Sequence, residues 1–127
     1  MEHFGCSRCW PDCAEDAWVA KQASEVEVYL IDEPHYIVSI WFCPDCDQHF
    51  LNVTTETVDW MGGEDPVYRT FIPVTRDELA VLTASGPPSE PTINAIGPGR
   101  RSLRFDWPGD SAAREYWSTG IRVGRHD

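Results

Sequence analysis

Two Cys-x-x-Cys pairs constrain this chain more than any other feature of its sequence. Cys6 and Cys9 form the first pair, and Cys43 and Cys46 form the second. At this spacing one tight turn directs two thiolates toward a single ion. Two such turns complete a tetrahedral shell of four sulfurs, which is the preferred closed site for structural zinc. The four cysteines are therefore predicted to bind one metal ion.

Two further side chains are spare candidates for the same site. Cys13 lies four residues after Cys9, at the start of a predicted helix, and His49 lies three residues after Cys46. Isolated cysteines are more often small apolar fillers, and isolated histidines at strand ends are more often surface residues. The paired cysteines are the preferred ligand set, and substitution by Cys13 or His49 stays open.

The paired cysteines resemble the metal sites of the zinc-ribbon class and, less closely, of rubredoxin, where a Cys-Pro-x-Cys knuckle also occurs. The resemblance implies a structural zinc held by the four cysteines, or iron in the same place for a rubredoxin-like protein. Two features depart from these families. Trp10 and Asp47 follow the two pairs, at positions where glycine is usual because the backbone turns left-handed. Residues 10–42 also form a longer insertion than zinc ribbons usually have.

The hydrophobic pattern predicts an α+β fold built on a small antiparallel sheet. Residues 26–30 alternate between apolar and polar side chains, residues 36–42 form an apolar run, and residues 50–58 are dense in β-branched side chains. Each pattern is typical of a strand, and the short connections favour a meander. The second cysteine pair would then lie at the tip of a hairpin, with the first pair folded over it.

Two or three short helices are expected beside this sheet. Residues 14–23 are rich in helix-forming side chains, with Asp12 available as a cap. The run Thr75-Arg76-Asp77-Glu78 fits a capping box, which predicts a second helix. The prolines and glycines of residues 86–99 predict a surface connection without a helix.

The C-terminal pattern predicts a strand over 102–107, a short helix from Asp110 to Trp117 and a final strand over 121–123. A chain of 127 residues has the size of one domain. We therefore expect residues 1–127 to fold as one unit. Residues 1–60 would form the zinc-ribbon-like meander, and residues 61–127 would pack on it as an extension.

Charge and hydropathy exclude several classes of function. The chain has 21 acidic and 10 basic side chains and a formal net charge of -11, which repels phosphate backbones and anionic lipid surfaces. No window approaches the roughly 18 consecutive apolar residues of a membrane span. The first residues lack the basic start and apolar core of a secretion signal. We expect a cytoplasmic protein with reduced thiols, no membrane contact and no general affinity for nucleic acid.

The charge is unevenly distributed along the chain. Residues 1–90 carry 17 acidic and four basic side chains, whereas residues 91–127 carry four acidic and six basic ones. Neutralisation of the acidic body is the preferred role for the basic part, and contact with RNA or an acidic partner is the alternative. Five of these six basic side chains are the arginines concerned, namely Arg100, Arg101, Arg104, Arg122 and Arg125.

An acidic loop with one tryptophan is the candidate contact surface for a partner. Trp60 lies between Asp59 on one side and Glu64 and Asp65 on the other. Exposed tryptophan is enriched at interface hot spots, and carboxylates favour a basic partner. The carboxylate spacing matches no calcium-binding EF-hand loop.

These observations favour a non-catalytic module that is stabilised by zinc and acts through protein–protein contact, such as an inhibitor or immunity-type protein. The chain contains no nucleophile elbow, no phosphate-binding glycine loop and no His-Glu metalloprotease motif. One alternative is a rubredoxin-like electron carrier with iron in the four cysteines. The second alternative is a nucleic-acid-binding zinc ribbon that uses the arginine-rich C-terminal part.

Overall fold

Six antiparallel strands form a single meander in the computed structural model, which describes residues 4–58, 60, 65–109 and 111–126. Each strand pairs with the next one along the chain, so the order across the sheet is the order of the sequence. The predicted α+β fold with an antiparallel meander is confirmed. The strands are β1 (Glu25–Glu33), β2 (Tyr36–Phe42), β3 (His49–Glu56), β4 (Val67–Val74), β5 (Arg101–Trp107) and β6 (Arg114–Thr119).

Within the described ranges, three short helices accompany the sheet: α1 (Ala14–Gln22), α2 (Arg76–Thr83) and α3 (Glu90–Asn94). Their number agrees with the predicted two or three. None of the helices in the described residues has the length and apolar character that a membrane span requires.

Apolar residues cover both faces of the sheet because side chains alternate along each strand. Leu51 and Ile72 lie on the first face, where they pack with Leu82 of α2 and Ile93 of α3. The second face is covered by α1 and by the N-terminal segment that contains the first cysteine pair. Its buried members include Trp10, Ala14, Ala17, Phe50, Phe71 and Leu103.

Strand β1 forms one edge of the sheet and is largely exposed. Its side chains Glu25, Asp32 and Glu33 are exposed carboxylates, and Tyr29 is 55% exposed. The pairing of β1 with β2 contains two register shifts. Charged side chains and bulges on an edge strand hinder edge-to-edge association. Several acidic residues of the N-terminal part thus lie on this exposed edge of the sheet.

Two C-terminal predictions are wrong. A helix was expected from Asp110, which lies outside the described residues, to Trp117; residues 114–117 instead belong to the strand β6, in which Trp117 pairs with Leu103 of β5. Tyrosine, tryptophan and threonine are favoured in strands, and hairpin pairing with β5 outweighs the weak helical signal. The expected strand over 121–123 is an irregular segment, although Ile121 and Val123 are buried on the first face.

Two details of the helices also differ from the prediction. Helix α3 lies inside residues 86–99, where no helix was expected. Ser89 caps α3 by accepting a hydrogen bond from the Thr92 N–H, and Pro91 occupies the first turn, where proline is tolerated. The N-cap of α1 is Cys13 without a side-chain cap, so Asp12 does not serve as the cap.

The capping box of α2 is confirmed, and its glutamate also anchors the C-terminal part. The Thr75 hydroxyl accepts from the Glu78 N–H at 3.1 Å, and the Glu78 carboxylate accepts from the Thr75 N–H at 2.9 Å. The same carboxylate accepts from Arg100 Nη1 at 2.6 Å. Burial by itself raises the pKa of Glu78, but the hydrogen bonds from Arg100 and Thr75 outweigh it, so this pKa lies below its usual value.

We expect Glu78→Gln to lower the free energy of unfolding at pH 7 by about 1–2 kcal/mol. A carboxylate whose pKa is lowered by folding stabilises the protein above its unfolded pKa, and this stability is lost as the pH falls. The deficit of Glu78→Gln should therefore shrink below about pH 4. Thermal unfolding of the variant and the parent chain at pH 7 and at low pH measures this difference in stability. The exposed Asp77→Asn serves as the control, and a deficit that does not vary with pH contradicts the account.

Candidate metal centre

The two cysteine pairs are far apart in the sequence but lie together at one end of the sheet. Cys43 and Cys46 lie in the connection between β2 and β3, and Cys6 and Cys9 lie in the turn before α1. Residues 10–42 of the insertion form α1, β1 and β2, which return the chain to the same end of the sheet. The long separation of the pairs is thereby accounted for.

The four sulfurs are arranged as one tetrahedral ion requires. The Sγ–Sγ distance is 3.7 Å for Cys6–Cys9, 3.7 Å for Cys9–Cys46 and 4.0 Å for Cys6–Cys43. All four sulfurs lie within 4.8 Å of one another. Zinc–sulfur bonds of about 2.3 Å place the corners of a tetrahedron about 3.8 Å apart. The cluster thus fits a single metal ion with four sulfur ligands.

Both pairs sit in equivalent tight turns. The Trp10 N–H donates to the Cys6 carbonyl at 2.9 Å, and the Asp47 N–H donates to the Cys43 carbonyl at 2.9 Å. Asp47 has a φ of 61°, and it is the sole non-glycine residue with positive φ among those described. Aspartate tolerates this conformation. The first turn closes without a left-handed residue after Cys9. Trp10 therefore does not have to adopt the left-handed conformation for which glycine is usual.

Glycine is required immediately before the first turn. Gly5 has a φ of +70°, and a Cβ added there would lie 2.7 Å from Trp10 Cβ and 3.1 Å from Cys9 Sγ. The Gly5 N–H also donates to Gln48 Oε1 at 3.1 Å, which links the first turn to the second. The backbone at Gly5 therefore lies against both the sulfur cluster and the aromatic core.

We expect Gly5→Ala to lower the free energy of unfolding by about 2 kcal/mol or more and to weaken metal binding, because the new methyl group meets Trp10 and Cys9. Gly99→Ala provides the control, since no atom lies within 4 Å of its added Cβ. Chemical denaturation and metal titration of both variants measure the difference. Equal stabilities of the two variants would contradict this role of Gly5.

Gln48 and an ion pair tie the two turns together. Gln48 Nε2 donates to the His49 carbonyl at 2.8 Å and to the Val74 carbonyl at 2.9 Å, so its side chain joins the second turn to β4. Arg8 Nη1 lies 2.9 Å from Asp45 Oδ2, across the two turns. Both partners of this pair are well exposed, so it contributes little to stability.

A fully buried lysine lies beside the cluster, and no sequence pattern indicates its burial. Lys21 of α1 is 0% exposed, and its ammonium donates to the Cys9 carbonyl. The Nζ atom lies 3.8 Å from the centroid of the Phe50 ring and 5.2 Å from that of the Trp10 ring. Burial lowers the pKa of Lys21 to about 8, against the opposing effect of the cysteine sulfurs. A positive charge here offsets part of the negative charge of four thiolates.

The thiols differ in how readily they ionise. Burial raises the pKa of Cys9 and of Cys46 above its ordinary value. Hydrogen bonding by the Cys9 backbone N–H lowers the pKa of Cys6 to about 7, in opposition to desolvation. Metal ligation needs thiolates, so binding an ion at this cluster releases protons from the buried thiols.

Neither spare candidate joins the cluster. Cys13 is exposed, and its thiol donates to Glu15 Oε2 at 3.0 Å. His49 Nε2 lies 2.8 Å from Glu27 Oε2, in a pair between β3 and β1. The group of sulfurs that could hold a metal ion consists of the paired cysteines Cys6, Cys9, Cys43 and Cys46.

The predicted partner surface is described only in part. Trp60 is 88% exposed, and Asp65 is also exposed. Asp59 and Glu64 lie outside the described residues, so the arrangement of the acidic loop around Trp60 stays a prediction.

The five arginines considered for contact with RNA or an acidic partner do not form one patch. Arg100 pairs with Glu78, and Arg101 lies over the Trp117 ring at 4.0 Å, beside the first cysteine turn. The other three arginines line a separate cavity on the first face of the sheet. The sequence showed a basic segment, but the hairpin of β5 and β6 divides it between two locations.

Comparisons with known proteins give no family assignment. No protein-family model matches the chain, and no curated protein or solved structure matches it.

Proposed function

We propose that this chain is a non-catalytic binding module, closed by one structural zinc ion, that acts by occupying a partner protein. The cluster of four sulfurs within 4.8 Å of one another carries the proposal. Four thiolates complete a tetrahedral coordination shell and leave no position for water or substrate. A metal held in this way stabilises the fold and has no direct Lewis-acid role.

We propose zinc rather than iron because the two cysteine turns resemble those of zinc ribbons more closely than those of rubredoxin. Tetrahedral sulfur ligands suit both metals, so the ligand geometry alone does not choose between them. Light absorption separates them, because zinc has a filled d shell and ferric thiolate absorbs visible light. A colourless protein with bound zinc supports the structural role. Iron with a visible absorption band would instead favour the electron carrier.

Charge and exposed aromatic surface support the partner half of the proposal. The chain has a net charge of -11, and exposed carboxylates line the edge strand β1 beside the half-exposed Tyr29. Trp60 is 88% exposed. Acidic surfaces accelerate encounter with basic proteins, and exposed aromatic side chains anchor complexes. An inhibitor or immunity-type protein directed against a basic nuclease or toxin is the specific version that we propose.

Capture of a partner at two salt concentrations tests this role. The zinc-loaded chain is immobilised and exposed to extract of the cells that produce it, at about 0.05 M and about 0.5 M salt. We expect retention of a basic protein at low salt, weakened at high salt and lost with Trp60→Ala. Val81→Ala, which removes exposed apolar surface from α2, is the control. The proposal fails if replicate experiments retain no basic protein, or if both variants weaken retention equally.

A further inference from the structure

A cavity of about 670 Å³ opens on the first face of the sheet, and none of its lining residues belongs to the cysteine cluster. Strands β3 to β6 form its floor, and the segment that follows β6 forms one wall. Arg104 enters from β5, and Arg122 and Arg125 come from the C-terminal segment. We call this concavity the arginine cavity.

None of the three guanidinium groups forms an ion pair within the part of the chain that the structure describes. The ion pairs of that part of the chain involve other arginines and histidines, namely Arg8, His35, His49, Arg100 and Arg101. Arg104 Nε is buried and makes no hydrogen bond. Burial, and after it the hydrogen bond to Asp106, raises the pKa of Tyr116. The positive charge of the nearby Arg104 opposes this rise.

Unpaired arginines are unexpected in so acidic a chain. The ion pairs of the described residues involve none of Arg104, Arg122 and Arg125, and instead use other basic side chains. A buried N–H without a partner destabilises a protein unless water or a ligand satisfies it. Guanidinium groups bind phosphate and carboxylate oxygens with paired, charge-assisted hydrogen bonds. The cavity therefore has the donors of an anion site.

The remaining lining narrows the class of anion. Asp106 is the one carboxylate among the lining residues that the structure describes, and its Oδ2 accepts from the Tyr116 hydroxyl at 2.7 Å. The three guanidinium groups and one carboxylate of this described lining carry a formal charge of +2, which matches a dianion. The volume exceeds the need of a free phosphate and is in the range of small-molecule sites. Polar and aromatic walls for an organic group come from Thr55, Thr57, Thr70 and Tyr68.

We propose that the arginine cavity binds a small phosphate monoester, with Arg104, Arg122 and Arg125 holding the dianionic phosphate. The organic group of the ester lies against the threonine and tyrosine side chains. A small ligand is favoured over nucleic acid because the site is concave and the chain as a whole is strongly acidic. None of the residues that line this cavity belongs to the cysteine cluster, whereas Val58 and Pro66 of the lining flank the loop that carries Trp60.

Calorimetric titration of the zinc-loaded full chain tests the site. The probes are inorganic phosphate, a sugar phosphate, adenosine monophosphate, adenosine as the phosphate-free comparison, and a short single-stranded oligonucleotide. We expect at least one phosphate monoester to bind more tightly than inorganic phosphate. If adenosine monophosphate is the ester that binds, adenosine should bind at least tenfold more weakly, because it lacks the phosphate.

Arginine variants assign the binding to the cavity. Arg122→Gln and Arg125→Gln replace exposed side chains, so they should keep the fold and the bound metal. Each should weaken binding of the ester about tenfold or more, because a charge-assisted hydrogen bond is lost. Arg76→Gln, an exposed arginine at the start of α2, is the matched control and should leave the affinity unchanged.

Three results would overturn the proposal. The first is the absence of binding by every monoester and by inorganic phosphate at concentrations up to about 10 mM, near the weak limit of specific sites. The second is binding that Arg122→Gln, Arg125→Gln and Arg76→Gln leave equally intact. The third is a preference for the oligonucleotide with a steep dependence on salt, which would assign the arginines to nucleic acid.

Discussion

Replacement of Cys43 by serine is expected to abolish tight metal binding and to lower the thermal midpoint by about 20 °C or more. Structural zinc contributes on the order of 10 kcal/mol of apparent binding free energy in small zinc peptides, which is comparable with the whole stability of a domain. Cys43 is 4% exposed and starts the turn between β2 and β3. Loss of its thiolate removes the ligand shell and leaves buried sulfur atoms unpaired.

Cys13→Ser is the matched control for this experiment. The Cys13 thiol is exposed and points to Glu15, so its replacement should change neither the metal content nor the midpoint appreciably. Thermal unfolding and metal analysis of the two variants, purified in parallel, give the comparison. An unchanged midpoint with unchanged metal content in Cys43→Ser would remove this cysteine from the ligand set. An equal loss in Cys13→Ser would move the site elsewhere.

Replacement of Lys21 by methionine is expected to lower the metal affinity about 10- to 100-fold. This is the usual range for residues that do not bind the metal but hydrogen-bond to the residues that do. Methionine keeps the approximate volume of the lysine stem but removes the ammonium group that donates to the Cys9 carbonyl. The buried carbonyl then lacks its donor, which costs about 1–3 kcal/mol. The charge of a zinc tetrathiolate also loses its nearest buried cation among the described residues.

Gln22→Met tests whether the effect is specific to position 21. Gln22 follows Lys21 in α1 but is exposed, so the substitution should leave the metal affinity unchanged. Competition with a chromophoric chelator measures the affinity of both variants at one pH. If Lys21→Met unfolds, Lys21→Arg keeps the charge and separates loss of charge from loss of packing. A metal affinity of Lys21→Met equal to that of the parent chain contradicts the role of Lys21.

The parts of the fold that local patterns encode could be predicted from the sequence. The turns of the two cysteine pairs and the capping box of Thr75 and Glu78 depend on residues a few positions apart. The apolar and β-branched runs of β2 and β3 likewise indicate strands without knowledge of their neighbours. These signals were sufficient for the α+β meander and for the grouping of the four sulfurs.

Features that depend on distant segments could not be predicted. The strand β6 forms because β5 offers it a pairing edge, whereas its own sequence also permits a helix turn. Lysine is rarely buried, so nothing in the sequence around Lys21 indicates an environment formed by Trp10 and Phe50. The division of the C-terminal arginines follows from the β5–β6 hairpin in the same way.

Elemental analysis of the full chain purified without added metal tests the central claim most directly. We predict one zinc ion per chain, no visible absorption, and loss of that zinc in Cys43→Ser with retention in Cys13→Ser. Zinc-free protein that unfolds at the same temperature as zinc-loaded protein would contradict a structural metal at the four cysteines. One iron per chain with a visible absorption band would contradict the choice of zinc.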